Sequence, residues 1–143
     1  MPIKEIFRVG YTPLTWAAHN RHFGVMEILL GREEVNPDEP DNCDRTPLSH
    51  AASHRHEEPV KILLRREEVD SNKPDDLSLT LLSHAAWFGR EGVVSILLTL
   101  EEVNPDKPDH FSQAPLLNPA WGGHEAVVKV LLGQKDVNPR QAR

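Results

Sequence analysis

Tyr11-Thr12-Pro13-Leu14-Thr15-Trp16-Ala17-Ala18 returns as Arg45-Thr46-Pro47-Leu48-Ser49-His50-Ala51-Ala52, and again as Leu79-Thr80-Leu81-Leu82-Ser83-His84-Ala85-Ala86. A fourth copy, Gln113-Ala114-Pro115-Leu116-Leu117-Asn118-Pro119-Ala120, is more worn. From Thr12 to Thr46, to Thr80 and to Ala114, each step is 34 residues. A second block keeps the same phase: Ile28-Leu29-Leu30, Ile62-Leu63-Leu64, Ile96-Leu97-Leu98 and Val130-Leu131-Leu132. A fixed period of this size marks a stacked array in which each unit buries its apolar face on its neighbours. Four units, approximately 11–44, 45–78, 79–112 and 113–143, follow a flank over 1–10 and make residues 1–143 a single domain.

Within the first unit, Thr12 is placed as an N-cap with Pro13 at the first helical position, where the missing N–H costs nothing and φ is already helical. Leu14, Ala17 and Ala18 make one apolar face of a short helix. After a break at His22, the residues Val25, Ile28 and Leu29, with Met26 one position off, recur at helical spacing and predict a second helix. The stretch from Glu33 to Asp41 holds two prolines and clustered acids, and reads as an exposed loop. The unit is helix, short turn, helix, long loop, and the chain is all-α.

The period alone also suits a tetratricopeptide array, but the residues do not, because the Trp, Leu-Gly and Tyr pattern of that family's first helix is missing. The chain instead resembles the ankyrin repeat, whose signature is Thr-Pro-Leu-His-x-Ala-Ala. The likeness recurs in phase over roughly residues 7–139. The variant looks like that of fungal ankyrin arrays, with Thr15, Ser49 and Ser83 in place of the signature His and a lengthened loop such as Val35-Asn36-Pro37-Asp38-Glu39-Pro40-Asp41. The resemblance implies a solenoid of stacked helix–turn–helix pairs with β-turn or finger loops projecting sideways. Three departures matter. The finger glycine survives only as Gly10, while Asp44, Ser78 and Ser112 hold the later positions, where a positive φ would be tolerable for Asp and costly for Ser. The fourth unit has Ala114 in place of the capping Thr. It also carries Pro119, which is expected inside its first helix at a cost of about 3 kcal/mol. Pro59 is expected in the first turn of a second helix, where it is milder. With Gly122-Gly123 between its helices as well, the fourth unit is expected to fray first.

A formal net charge of −6 argues against a nucleic-acid surface, which needs a basic face to displace counterions. No apolar run approaches the ~20 residues of a membrane span, and Met1-Pro2-Ile3-Lys4-Glu5-Ile6 lacks a signal-peptide core. Cys43 is the single cysteine, so no intrachain disulfide forms and a reducing, cytoplasmic or nuclear setting is expected. No Gly-rich phosphate loop occurs. Ser49 and Ser83 precede histidines, but adjacent helical side chains diverge by about 100° and form no nucleophile–base pair. The chain reads as non-enzymatic, and no cofactor is expected.

Eight histidines raise a metal reading. His50 and His54 are one helical turn apart, His54-Arg55-His56 adds a third imidazole, and His50 and His84 lie one repeat apart. A zinc site needs three or four convergent ligands, and no metal is expected. A histidine-based metal-binding protein stays as the distant alternative. His22, His56 and His124 share one repeat position, where the resemblance implies a structural His opening the second helix. Glu33, Glu34, Glu67, Glu68, Glu101 and Glu102 recur in phase, as do Asp41, Asp75 and Asp109. They are expected to form a solvated acidic edge, with attraction of a basic partner as the rival reading.

The resemblance implies a non-enzymatic module that binds a folded partner protein through its concave helix face and its fingers. Carried over by position, the finger tips are Arg8, Val9 and Tyr11; Asn42, Cys43 and Arg45; Asp76, Leu77 and Leu79; and His110, Phe111 and Gln113. The ends of the first helices are His19 and Asn20, Ser53 and His54, Trp87 and Phe88, and Trp121 and Gly122. Trp87, Phe88, Phe111 and Trp121 centre the expected surface on the last two units, since aromatics are enriched at binding hot spots. Packing of Trp87 and Trp121 against adjacent helices is the competing reading. A structural spacer, or a fragment of a longer array that self-associates end to end, is the alternative function. It is motivated by Leu14, Ala17, Val25, Ile28 and Leu29 at one end and by Leu116, Val127, Val128, Val130 and Leu131 at the other, with Ile3, Ile6 and Phe7 as a candidate N-terminal cap.

Overall fold

The structure, a computed structural model, describes residues 9–134, 137, 139 and 140. Eight helices lie within them: α1 (Pro13–His19), α2 (Phe23–Leu30), α3 (Pro47–Ala52), α4 (Glu57–Leu64), α5 (Leu81–Trp87), α6 (Glu91–Leu97), α7 (Leu117–Trp121) and α8 (Glu125–Leu132). The odd helices open as the sequence predicts in the first three pairs. Thr12, Thr46 and Thr80 are N-caps, and their hydroxyls accept from the N–H of Thr15, Ser49 and Ser83. Those three residues, standing where the family signature has His, are buried and close the cap. Ser49 Oγ donates to the Thr46 carbonyl at 2.9 Å, and the hydroxyls of Thr12 and Thr15 bond at 3.0 Å. A cap of this kind stabilises a helix by ~1 kcal/mol, which matters for helices of only six or seven residues.

Each odd helix packs on the even helix of its own pair and on the next odd helix, and the even helices stack likewise. Two helical layers result, with Leu14, Leu48 and Leu82 buried between them beside the paired alanines. The small alanines allow the helices to approach closely, and burial of these side chains is the main favourable term. Stacking is reinforced by a repeated polar contact. Arg90 Nε donates to the Ser53 carbonyl at 2.9 Å, and one repeat later His124 Nε2 lies 3.1 Å from the Trp87 carbonyl. His22, His56 and His124 do open even helices, but none caps one with its side chain, and His22 is exposed.

The apolar pattern of the end units needs correcting. In α2 the buried residues are Met26 and Leu30, whereas Val25 and Ile28 face water. Ile28 is 71% exposed and Ile62, at the same repeat position, 5%. The reason is the stack: this position packs on the even helix of the preceding pair, and α2 has none among the described helices. At the other end the open face is Leu132, 47% exposed against 6% for Leu30. Val127 is buried rather than on that open face.

The fourth pair is also built differently. Without a capping hydroxyl at Ala114, the helix does not start at Pro115. Residues 115 and 116 form a turn, and α7 begins at Leu117 with no side-chain cap. Pro119 therefore sits in the first turn of a five-residue helix, where its missing N–H has no intrahelical partner to lose. The expected break inside a regular helix does not occur; the helix shortens instead. Pro59 lies in the first turn of α4, as expected.

Candidate binding groove

The loops between pairs turn back as fingers. Gly10, Asp44, Ser78 and Ser112 all have φ between 57° and 73°, so the expected left-handed position is real, and two serines hold a conformation that disfavours them. An aspartate pins each of the last three fingers. Asp41 Oδ1 accepts from the N–H of Cys43 (2.8 Å) and Arg45 (3.0 Å), Asp75 Oδ1 from Leu77 and Leu79 (both 2.9 Å), and Asp109 Oδ1 from Phe111 (2.8 Å) and Gln113 (2.9 Å). Neighbouring fingers are tied by Asn42 N–H to Val9 O, Asp76 N–H to Cys43 O and His110 N–H to Leu77 O, at 3.0–3.2 Å.

Asp41 and Asp75 are not part of a solvated acidic edge. The Asp41 side chain is fully buried and that of Asp75 is 5% exposed. Their second oxygens receive His50 Nε2 and His84 Nε2, both at 2.9 Å, and Arg45 adds two further N–H donors to Asp41. The six repeating glutamates are exposed as expected. Burial acts to raise the Asp41 carboxyl pKa, but the His50 ring and the N–H groups of Cys43 and Arg45 outweigh it and hold the net value below the ordinary one. Asp75 behaves likewise through His84 and the Leu79 N–H. Burial pushes His50 down to about 4, against the opposing pull of Asp41. At neutral pH His50 is thus a neutral imidazole donating Nε2–H to an ionised carboxylate.

The same contacts bear on the metal reading. The Nε2 atoms of His50 and His84 face their aspartates, and His54 Nδ1 lies 2.7 Å from the His50 carbonyl. Among the described residues no three His, Cys, Asp or Glu side chains converge as a metal site would require.

Between the fingers and the ends of the odd helices runs one groove of about 730 Å³. Its finger side carries Tyr11, Arg45, Leu79 and Gln113, four residues at one repeat position, together with Leu77 and Phe111. Its helix side carries His19, Ser53, Trp87 and Trp121, again one position, with His54 and Phe88 beside them. Tyr11 packs edge-on against His50 with ring centroids 4.7 Å apart, and His19 against His54 at 4.5 Å. Burial and the neighbouring His54 push the His19 imidazole below its ordinary pKa. The far end is apolar. Trp87 and Trp121 meet edge to face at 6.3 Å and stay exposed, Trp121 by 76%, and Phe111 is 67% exposed. The tryptophans therefore pack on each other and on the groove, not into the helix layers.

Eleven of the fourteen sequence-predicted site residues are brought together here. Asn20 and His110 are exposed outside the lining, with Asn20 Nδ2 bonded to the Trp16 carbonyl, and Arg8 falls outside the described residues. Sequence reasoning missed Arg90, Ser83 and Asp109 as lining residues, and left His50 and His84 without an assigned place in it. The signal for Arg90 was its phase with His22, His56 and His124. For the Asp–His contacts it was the constant spacing of nine from Asp41 to His50 and from Asp75 to His84.

A family model described as ankyrin repeats (3 copies) matches residues 3–75. No curated protein matches the chain. No helix among the described residues is long and apolar enough to cross a membrane.

Proposed function

Because the chain belongs to the ankyrin-repeat family, we propose that it binds another protein through the groove between its fingers and its odd helices. Repeats of this family are generally protein–protein interaction modules and typically non-enzymatic. The observation that carries the groove is where the apolar surface lies. Eight large hydrophobic side chains are exposed among the described residues, and Leu77, Trp87, Phe88, Phe111 and Trp121 all line the groove. Contiguous exposed apolar surface of this kind is costly in water and marks interaction sites. Trp and Tyr dominate hot spots because they bury large area with few rotors. In this reading Trp87 and Trp121 are the anchors, Phe88 and Phe111 flank them, and Tyr11, His19, Arg45, Ser53, His54, Leu79 and Gln113 give polar definition along the groove.

The test is affinity for a protein captured from the source cell and then purified. Trp87→Ala and Trp121→Ala should each weaken it by ~2 kcal/mol or more. Circular dichroism and melting should remain those of the parent, because both side chains are exposed. Normal binding by both folded variants would place the partner elsewhere.

A second reading has its own observation. The other three exposed hydrophobics, Val25, Ile28 and Leu132, lie on the first and last even helices among the described residues, which supports end-to-end self-association.

A further inference from the structure

The short turn joining the two helices of each pair carries a charge pattern that the groove alone does not use. In a chain of net charge −6, Arg21, Arg55 and Arg90 stand at this turn in three successive pairs, and His54 and His56 flank Arg55. None of the three arginines has an acid within ion-pair distance among the described residues, although Arg32, Arg45, Lys61, Arg65 and Arg66 all do. The acids closest in sequence, Glu57, Glu58 and Glu91, open α4 and α6. Glu57 is turned to Lys61 at 3.2 Å and Glu58 to Arg65 at 3.8 Å.

This basic edge is continuous with the groove. Arg90 and His54 line the groove itself, and Arg90 shares a second, polar cleft with Arg55 on the other side of the turn, where Glu57 and Glu91 also lie but neither is within ion-pair distance of the two arginines. Arg90 is fixed in place: its Nε donates to the Ser53 carbonyl at 2.9 Å, and its guanidinium carbon lies 5.6 Å from the Phe88 ring centroid. Burial and, after it, the repulsion of Arg55 push its pKa below the ordinary value. Asp109 is the one carboxylate among the residues lining the groove, and it and the equivalent aspartates behind the groove are engaged by the fold. Asp41 and Asp75 are held by their histidines and backbone N–H groups, and Asp109 by two N–H groups.

We propose that the partner segment seated in this groove is acidic, placing a large apolar side chain among Leu79, Trp87 and Trp121 and one or more carboxylates against Arg55 and Arg90. This rests on the groove reading above and adds the chemistry of the occupant. A guanidinium presents a planar fork of donors matched to a carboxylate. Unpaired charge at the rim of an apolar site steers a complementary partner and rejects like-charged ones. A long polyanion such as nucleic acid is disfavoured, because the rest of the chain would repel it.

The experiment is selection of a displayed random peptide library on the whole chain, followed by titration of synthesised hits using the tryptophan fluorescence of the groove. The selected peptides should combine Asp or Glu with Leu, Phe or Trp. Arg55→Gln and Arg90→Gln should each weaken the hits about three- to tenfold, and changing the peptide's Glu to Gln should mimic this loss. Binding should also weaken as salt rises to about 0.5 M. The Arg55 side chain makes no hydrogen bond or ion pair among the described residues, so its substitution remains informative if Arg90→Gln disturbs the stack. Hits that need Trp87 and Trp121 but show no acid preference, or whose affinity ignores both arginine substitutions, overturn this inference and leave the groove standing. Hits insensitive to the tryptophans, or no hits at all, overturn the groove reading itself, and tighter binding of a single-stranded oligonucleotide than of any peptide overturns the acidic-protein assignment.

Discussion

A neutral His50 beside an ionised Asp41 sets how the second finger responds to acid. The His50 pKa of about 4 in the fold lies below the ~6.5 of an exposed imidazole. The unfolded chain therefore binds a proton at this residue more readily than the folded one. Its contribution to stability is fully present above pH ~6.5 and is lost as pH falls towards about 4, by up to ~3 kcal/mol if the whole shift is realised. The depressed carboxyl of Asp41 acts in the same direction but lower, as pH falls below the ordinary carboxylate range. Melting temperature should thus drop between pH 7 and pH 5, and His50→Gln, which cannot titrate, should flatten that slope while lowering stability at pH 7. An unchanged slope would mean that His50 is not held neutral by burial.

Four copies of one element make a comparison that no single helix offers. The pairs opened by Thr12, Thr46 and Thr80 have full caps, and α7 does not. Asn118 also replaces the histidine that locks the second and third fingers, and both of its amide atoms are buried without a hydrogen-bond partner. Such an orphaned group costs about 1–3 kcal/mol. Restoring the cap with Ala114→Thr alone should gain little, because a helix starting at Pro115 would need the N–H that Pro119 lacks. Pro119→Ala alone lacks the cap. The double variant should therefore exceed the sum of the single ones by about 1 kcal/mol, a coupling read directly by a double-mutant cycle. In the parent, amide exchange should be fastest over 113–134 and slowest in the second and third pairs. Uniform protection, or strictly additive single variants, would contradict the account.

At the level of the whole stack, the two ends are unequal. The N-terminal end leaves Val25 and Ile28 in water, whereas the C-terminal end leaves chiefly Leu132. An array presents one packing surface at each end, so an uncapped end carries the apolar face that an interior unit would bury. If the ends pair, sedimentation should show mass rising with concentration, and Ile28→Lys or Leu132→Lys should suppress it without altering the unfolding free energy by more than ~0.5 kcal/mol, as expected of an exposed site. A constant monomer mass would exclude the end-to-end reading.

The sequence by itself determined the local rules: the period, the capping threonines before α1, α3 and α5, the left-handed position at Gly10, Asp44, Ser78 and Ser112, and the aromatics at the groove. Each follows from a preference of a few neighbouring residues repeated in phase. Only the tertiary structure decided which repeating acids are buried, because Asp41 and Glu33 look alike until a histidine nine residues on is folded over one of them. Only it showed that α7 starts late and so spares Pro119, a contest between a missing cap and a missing N–H that neither residue settles alone. It also separated Ile28 from Ile62. The two occupy the same place in identical patterns, and what differs is whether another helix lies against them.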